Sequence, residues 1–338
     1  MTENYDNSVV YANIGVIGAG AWGTALAMAA AKAGRNVQLW AREPQIVDSV
    51  AHTRENVLYL PGVKIPQAIT VTGDLAQAAR ADALLLVVPA QHLRAQLALL
   101  APVIAPGTPL VLCAKGIERG TGKLLPEILR ELLPACVPAI LSGPSFARDV
   151  AHDLPTAVTI AAEGDVAAKL QASLGHLTFR PYASDDVIGV ALGGAAKNVY
   201  AIACGIVAGM GLGESARAAL IARSFAELCR LGEALGAKRD TLMGLSGLGD
   251  LVLTATSASS RNYAFGLEFG QGVARAELLA PGRPLAEGVA TAPALVARAR
   301  DAGVEMPIGE AMTELLDGQL ALNDAVPRLM GRPLTTEI

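Results

Sequence analysis

The sequence predicts two lobes: a doubly wound, mostly parallel α/β domain over residues 1–185, then an all-α domain over residues 186–338. Three observations predict this. The first half alternates short β-type runs with helical stretches, the order of a parallel sheet covered on both faces. Several runs are unbroken apolar, such as Leu84-Leu85-Leu86-Val87-Val88, as strands buried on both faces require. After Pro181 the strand pattern stops and helical periodicity takes over. With 338 residues, 52% hydrophobic and only 17% charged, the chain has apolar material for two cores.

In order along the chain, residues 1–12 form a polar tail. It lacks the basic-then-apolar pattern of a secretory leader. Strands are expected at 13–18, 36–40, 69–71, 83–88, 109–114, 139–142, 157–161 and 177–180. Helices such as 23–33, 74–80 and 93–100 lie between them. Ser184, Asp185 and Asp186 make a helix start, since their side-chain oxygens cap free amides and suit the positive dipole end. Helices then follow at 187–210, 214–235, 261–271, 293–302, 309–316 and 323–329. No Gly/Ser-rich linker separates the lobes, so they should pack closely. The run 187–210 is long and apolar enough to raise a membrane span. However, it holds Lys197 and Asn198 at its centre and five glycines, and a central lysine costs a lone span roughly 2.5–3.5 kcal/mol. A buried core helix, with no membrane insertion, is the expectation.

The net charge of −4 argues against nucleic acid as a partner. A site for an anion must therefore be built from a few local cations. The four cysteines contain no Cys-x-x-Cys pair and the four histidines are scattered, so no metal site is expected. Each cysteine sits in an apolar stretch, as reduced core cysteines of a cytoplasmic protein do.

Gly18, Gly20 and Gly23 form Gly-x-Gly-x-x-Gly at the end of the first strand, directly before a good helix former. Gly18 permits the turn, Gly20 lets backbone approach a pyrophosphate, and Gly23 lets the helix pack closely. Strand, turn and helix in this order point to a dinucleotide. An NAD site usually has Asp or Glu at the end of the second strand. Here that strand ends Trp40-Ala41-Arg42. Arginine suits a 2′-phosphate, so NADPH is expected. Glu43 leaves NADH use open, and an ordinary exposed arginine is the plainer alternative.

Hydride transfer to a carbonyl needs a proton for the developing alkoxide, polarisation of the carbonyl and, for a phosphorylated substrate, an anion cradle. Lys197 lies mid-helix among apolar and tiny residues. Burial lowers an ammonium pKa toward neutrality, which suits a general acid, and the neighbouring glycines would let a substrate approach the backbone. A lysine that snorkels to solvent is the alternative. Lys115 follows the strand at 109–114, on the side where open sheets bind ligands. Gly143, Pro144 and Ser145 follow the strand at 139–142 in the same way. Ser260 can cap a helix starting at Arg261, whose first amides and guanidinium can hold a phosphate. Asp250 repels a phosphate, so its use would be to accept bonds from hydroxyls or to orient Lys197.

These residues together resemble the bacterial NAD(P)-dependent glycerol-3-phosphate dehydrogenases. The motifs are Gly-Ala-Gly-Ala-Trp-Gly (18–23), Ala-Lys-Gly-Ile-Glu (114–118), Ser-Gly-Pro-Ser-Phe-Ala (142–147), Gly-Ala-Ala-Lys-Asn-Val (194–199), Gly-Leu-Gly-Asp-Leu (247–251), Ser-Arg-Asn (260–262) and Glu-Gly (287–288). The resemblance implies that Lys197 is catalytic. It implies that Lys115, Gly143, Ser145, Asp250, Ser260, Arg261 and Asn262 line a glycerol-phosphate site. Gly18, Gly20, Ala21, Trp22, Gly23, Arg42, Lys115, Ala147, Arg261, Leu285 and Glu287 would contact the cofactor. It further implies a Rossmann domain with a helical domain like that of 6-phosphogluconate dehydrogenase, reduction of dihydroxyacetone phosphate for glycerophospholipid synthesis, and a homodimer. Two departures stand out. Ala21 occupies a position often serine, and Tyr263-Ala264 follow Ser-Arg-Asn where relatives tend to carry another basic residue. The competing readings are a β-hydroxyacid or ketopantoate reductase, which has no evident use for Ser260-Arg261-Asn262 with Asp250, and a non-catalytic NADPH-binding sensor, which need not keep Lys115 or Lys197.

Overall fold

The computed structural model describes residues 10–330. Its first lobe runs β1 (Asn13–Ile17), α1 (Ala21–Lys32), β2 (Asn36–Trp40), α2 (Pro44–Thr53), β3 (Glu55–Asn56), β4 (Leu60–Lys64), β5 (Ile69–Thr72), α3 (Leu75–Ala79), β6 (Ala83–Leu86), α4 (Leu93–Leu100), β7 (Pro109–Leu112), α5 (Leu125–Leu132), β8 (Val137–Ser142), α6 (Ala147–Ala151), β9 (Thr156–Ala162), α7 (Val166–Leu174) and β10 (Phe179–Ser184). The second runs α8 (Val187–Gly209), α9 (Glu214–Ala234), α10 (Arg239–Met243), α11 (Asp250–Thr256), α12 (Arg261–Gly270), α13 (Arg275–Leu278), α14 (Glu287–Asp301), α15 (Pro307–Asp317) and α16 (Leu322–Met330).

Eight strands form one sheet in the order β10-β9-β8-β7-β6-β1-β2-β5. All neighbours are parallel except β8 and β9. The strand order reverses between β1 and β6, which opens a crevice at their carboxyl ends. Alternate residues feed two cores. Leu85, Val111 and Leu141 face α1, α2 and α7, whereas Leu84, Leu86, Leu110 and Ile140 face α4, α5 and the second lobe. That second core continues without a break through Val190, Leu192 and Val199 of α8, so the lobes share one apolar interior. Helix α8 is long and apolar enough to cross a membrane, but its apolar window is 94% buried inside the protein, as expected of a core helix. Asp186 caps it by accepting from Gly189 N at 2.7 Å.

Three expectations need correction. The strand expected at 177–180 is Phe179–Ser184, and Leu177 lies outside it, 87% exposed. Pro181 does not end this strand because β10 is the sheet edge, where a missing N–H breaks no ladder. The helix expected at 293–302 begins at Glu287, with Pro293 inside it. Proline marks a first turn by preference; inside a helix it removes one intrahelical bond and crowds the carbonyl four residues back, a cost offset here by the buried face of α14. The polar tail is shorter than 1–12. Val10 is buried, and Tyr11 N donates to Ser173 Oγ at 2.8 Å while its ring lies under Lys169 Nζ. The rest of that tail, and residues 331–338 of the second lobe, lie outside the described residues.

Candidate active site

The glycine-rich turn sits at the β1/β6 crevice. Gly18 has φ +115°, and a Cβ there would meet the Val87 carbonyl at 2.6 Å. A Cβ on Gly23 would overlap the Gly18 carbonyl, so α1 rests directly on the turn. At Gly20 the equivalent space is open. Gly20 is also the N-cap of α1 and offers no side-chain cap, so the first amides of α1, at Ala21 and Trp22, keep their donors and their positive dipole for an anion. An open space beside an uncapped helix start at the switch point fits a dinucleotide pyrophosphate. Arg42 is exposed just beyond β2, but its guanidinium donates to Glu43 Oε1 at 2.7 and 3.2 Å. Ala147, half-buried, begins α6, which packs on α1. Leu285 lies exposed in the segment before α14.

Across the crevice, two lysines share one carboxylate. Lys197 of α8 is 7% exposed, and its Nζ donates to Asp250 Oδ1 at 2.9 Å and Thr254 Oγ1 at 2.7 Å. Asp250 and Thr254 lie four residues apart on α11, on one face of the helix. Lys115, in the loop after β7, donates to the other Asp250 oxygen at 2.6 Å and to the Gly143 carbonyl at 3.0 Å. Burial pushes Lys197 down to about 8, with Asp250 opposing and Lys115 assisting. Burial alone would raise Asp250, but Lys115 and Lys197 outweigh it and hold the carboxyl below its ordinary range. Asp250 thus accepts from both lysines at once, an arrangement that suits the orienting role. The glycines beside Lys197 do not leave room for a substrate. A Cβ on Gly193 would meet the Ser246 carbonyl at 2.7 Å, and one on Gly194 would meet Ser142 Oγ at 2.5 Å and Lys115 Cγ at 3.4 Å. They let other segments of this chain press against α8, which is why Lys115 reaches Asp250 at all.

Gly143 holds φ +148°, a conformation that favours glycine. It turns its carbonyl to both Lys115 Nζ and Ser145 Oγ, each at 3.0 Å. Ser260 is buried and caps α12 by accepting from Tyr263 N at 3.2 Å. That leaves the amides of Arg261 and Asn262 at the helix start, beside the exposed Arg261 side chain. Asn262 itself turns inward. Its Nδ2 donates to Asn198 Oδ1, its Oδ1 accepts from Gly288 N, and Asn198 Nδ2 donates to the Lys115 carbonyl, all at 2.9 Å. Next in the chain to Gly288, Glu287 accepts from Ala90 N of the first lobe at 3.1 Å. Burial raises its carboxyl, opposed by the Ala90 amide and by Arg261, Lys197 and Lys115. Two arginines lie near Tyr263 and Ala264, each paired to a carboxylate, Arg217 to Glu214 and Arg283 to Glu268. Arg217 donates to the Tyr263 hydroxyl at 3.0 Å, and Arg283 lines a cleft of about 220 Å³ with Arg261.

Sequence reasoning assigned no role to Thr254 or Asn198. Thr254 is legible only once α11 is known, and the glycines at 244, 247 and 249 hide that helix. They form a single π turn over Leu245–Gly249, closed by Gly249 N to the Gly244 carbonyl at 3.0 Å. Asn198 carried a usable signal, as a polar side chain amid an apolar helix. Among the described residues no cluster of His, Cys, Asp or Glu could hold a metal ion, and the cysteines there are free and buried.

Two family models match the chain, described as NAD-dependent glycerol-3-phosphate dehydrogenase N-terminus over residues 13–168 and C-terminus over residues 186–327. A glycerol-3-phosphate dehydrogenase [NAD(P)+] of Parvibaculum lavamentivorans is 55% identical over 98% of this chain and 99% of its own length. One from a Bradyrhizobium strain is 57% identical over 97% of this chain and 98% of its own. A crystal structure of glycerol-3-phosphate dehydrogenase from Coxiella burnetii, 38% identical, superposes with a TM-score of 0.90 over 96% of this chain and all of that one. A ketopantoate reductase from Ralstonia eutropha, 18% identical at a TM-score of 0.57 over 93% of this chain and 99% of that one, shares the fold alone.

Proposed function

Because the chain belongs to the NAD-dependent glycerol-3-phosphate dehydrogenase family, we propose that Lys197, Lys115 and the Asp250 carboxylate between them carry out that family's chemistry here. The reaction is the reversible reduction of dihydroxyacetone phosphate to sn-glycerol 3-phosphate with NADPH, NADH being the second cofactor of the family. Its product serves glycerophospholipid synthesis. The single observation that carries the residue assignment is the Lys197–Asp250–Lys115 bridge at 2.9 and 2.6 Å on the edge of the dinucleotide crevice.

When bound, the reduced nicotinamide supplies the hydride. The chain's own residues do the rest. Lys197, held by Asp250 and Thr254, gives its proton to the oxygen that becomes an alkoxide. Its depression to about 8 makes that transfer easy near neutrality. Lys115 polarises the same region while anchored to Gly143. Ser145 and Gly143 border the triose, and Arg261 with the first amides of α12 holds the phosphate. Asn262 acts from behind, fixing α12 against α8. Gly18, Gly20, Ala21, Trp22 and Gly23 hold the pyrophosphate, Arg42 faces the adenosine phosphate, and Ala147, Leu285 and Glu287 border the coenzyme. The division of labour places the cofactor lobe at 1–185 and the substrate lobe at 186–338. We further assign a homodimer in the cytoplasm, without membrane insertion. The buried thiols and the packing of α8 inside the protein support this compartment.

The test follows NADPH consumption with dihydroxyacetone phosphate beside unphosphorylated dihydroxyacetone. Only the phosphorylated ketone should turn over efficiently. Lys197→Ala should lower that turnover by roughly 10²–10⁴-fold while still binding NADPH. Unchanged turnover in the variant would remove Lys197 from the mechanism.

A further inference from the structure

Asn56 belongs to none of the motifs above, yet it is fully buried where the β3–β4 ribbon meets the glycine-rich turn. Its Nδ2 donates to the Ala19 carbonyl at 2.8 Å and to Thr24 Oγ1 at 2.9 Å, and its Oδ1 accepts from Tyr59 N at 3.1 Å. A side-chain amide offers two N–H donors and one carbonyl acceptor, so both donors and the acceptor are engaged. The three partners lie in three segments: the turn, the first helical turn of α1 and the ribbon tip. In a trans peptide the carbonyl and the following N–H point to opposite sides. The Ala19 carbonyl faces inward, toward Asn56, so the Gly20 N–H faces outward. A Cβ placed on Gly20 would meet nothing within 4 Å, so the backbone there is open to the approach of a ligand. Ala19 is only 3% exposed, which leaves solvent little access to replace Asn56 as the carbonyl's partner.

We propose that Asn56 is a positioning residue for the cofactor: by fixing the Ala19–Gly20 peptide, it aims the backbone amide of Gly20 that receives the pyrophosphate. The inference rests on the placement of the cofactor at residues 18–23. It adds a requirement that those glycines alone do not carry. The side chain of Asn56 touches no ligand and acts only through the peptide it holds.

The experiment measures NADPH affinity by cofactor fluorescence without substrate, alongside steady-state kinetics and melting temperature. Asn56→Ala should weaken NADPH by about tenfold while kcat and the KM for dihydroxyacetone phosphate, at saturating NADPH, stay within about twofold. Thr24→Val keeps the bond to Ala19 and should change NADPH affinity by less than about threefold, even if it lowers the melting temperature as much. Wild-type NADPH affinity in Asn56→Ala overturns the proposal, as does a parallel rise of NADPH Kd and ketone KM, which general loosening would give. If Asn56→Ala does not fold, Asn56→Asp keeps the volume and the acceptor for Tyr59 but loses both donors. Unchanged NADPH affinity there overturns the proposal equally. Gly20→Val separates this inference from its premise, since its side chain enters the open space. Normal NADPH binding in that variant refutes the cofactor placement itself. Lost binding in Gly20→Val with normal binding in Asn56→Ala refutes only the role of Asn56.

Discussion

The Lys197 ammonium reports on its surroundings through pH. Its pKa lies near 8 because burial lowers it more than Asp250 raises it. On the proposed role of Lys197, ketone reduction needs the protonated amine, so the reduction rate should be level below about 8 and fall as pH rises through it. Glycerol-phosphate oxidation needs the free amine and should rise over the same interval. Asp250→Asn removes the chief influence raising the amine, so both limbs should move to lower pH, and an unmoved midpoint would mean that another group is being titrated. A second residue-level outcome concerns the coenzyme. Arg42 shares its guanidinium with Glu43 at 2.7 Å, so part of its hydrogen-bonding capacity is spent within the protein. Glu43→Gln should therefore raise the preference for NADPH over NADH, and Arg42→Ala should lower it, as read from paired Kd values. Equal changes for both coenzymes in Arg42→Ala would place the guanidinium away from the 2′-phosphate.

Helices α8 and α12 carry Lys197 and Arg261, the proposed proton donor and phosphate anchor, and glycines set their separation. A Cβ on Gly205 or Gly209 would overlap the Tyr263 or Leu267 carbonyl, and one on Gly266 would overlap the Ile202 carbonyl, while Gly270 meets the Ile206 carbonyl at 2.5 Å. No side chain fits between these backbones. Gly205→Ala should cost about 1–3 kcal/mol, seen as a lower melting temperature. It should also raise the KM for dihydroxyacetone phosphate by tilting Arg261 away from Lys197. An unchanged melting temperature would show that the two helices separate freely. What the sequence made legible follows from the same logic of elements. The Gly18-Gly20-Gly23 turn and the long apolar helix carrying Lys197 are local patterns, with periods and punctuation visible in one segment. Helix α11 was not legible, because glycines 244, 247 and 249 argue for a loop. Only the close fit of Gly247, where a Cβ would overlap the Leu242 carbonyl, shows why a glycine sits in that helical turn. With α11 unseen, Thr254 could not be matched to Asp250. Asn56 was invisible for a different reason. Two of its three bonds reach the glycine-rich turn and α1, more than thirty residues back in the chain, and nothing near Asn56 announces them.

At the scale of the whole molecule, the two lobes share one apolar interior and should therefore unfold as one cooperative unit. The apolar interior runs from Leu84 and Leu110 in the sheet through Val190 and Val199 of α8 to Leu295 and Leu315. The polar joints cross the same boundary, from Lys115 to Asp250, from Asn198 to the Lys115 carbonyl and from Glu287 to the Ala90 amide. Freeing either lobe would expose that interior and part Lys115 from Asp250, while Lys197 would keep its bonds to Asp250 and Thr254 within the second lobe; parting a buried ion pair is costly. Both tryptophans, Trp22 and Trp40, lie in the sheet lobe, whereas the helices of the second lobe contribute heavily to far-ultraviolet circular dichroism. Tryptophan fluorescence and circular dichroism should therefore give coincident unfolding transitions. NADPH, on its proposed placement in the first lobe, should move both curves upward together, by about 2.7 kcal/mol of added stability at a hundredfold excess over its Kd. If fluorescence shifted with NADPH while the helical signal melted at its old temperature, the interior would be two cores in contact, and Lys197 would owe its place at the crevice to docking alone.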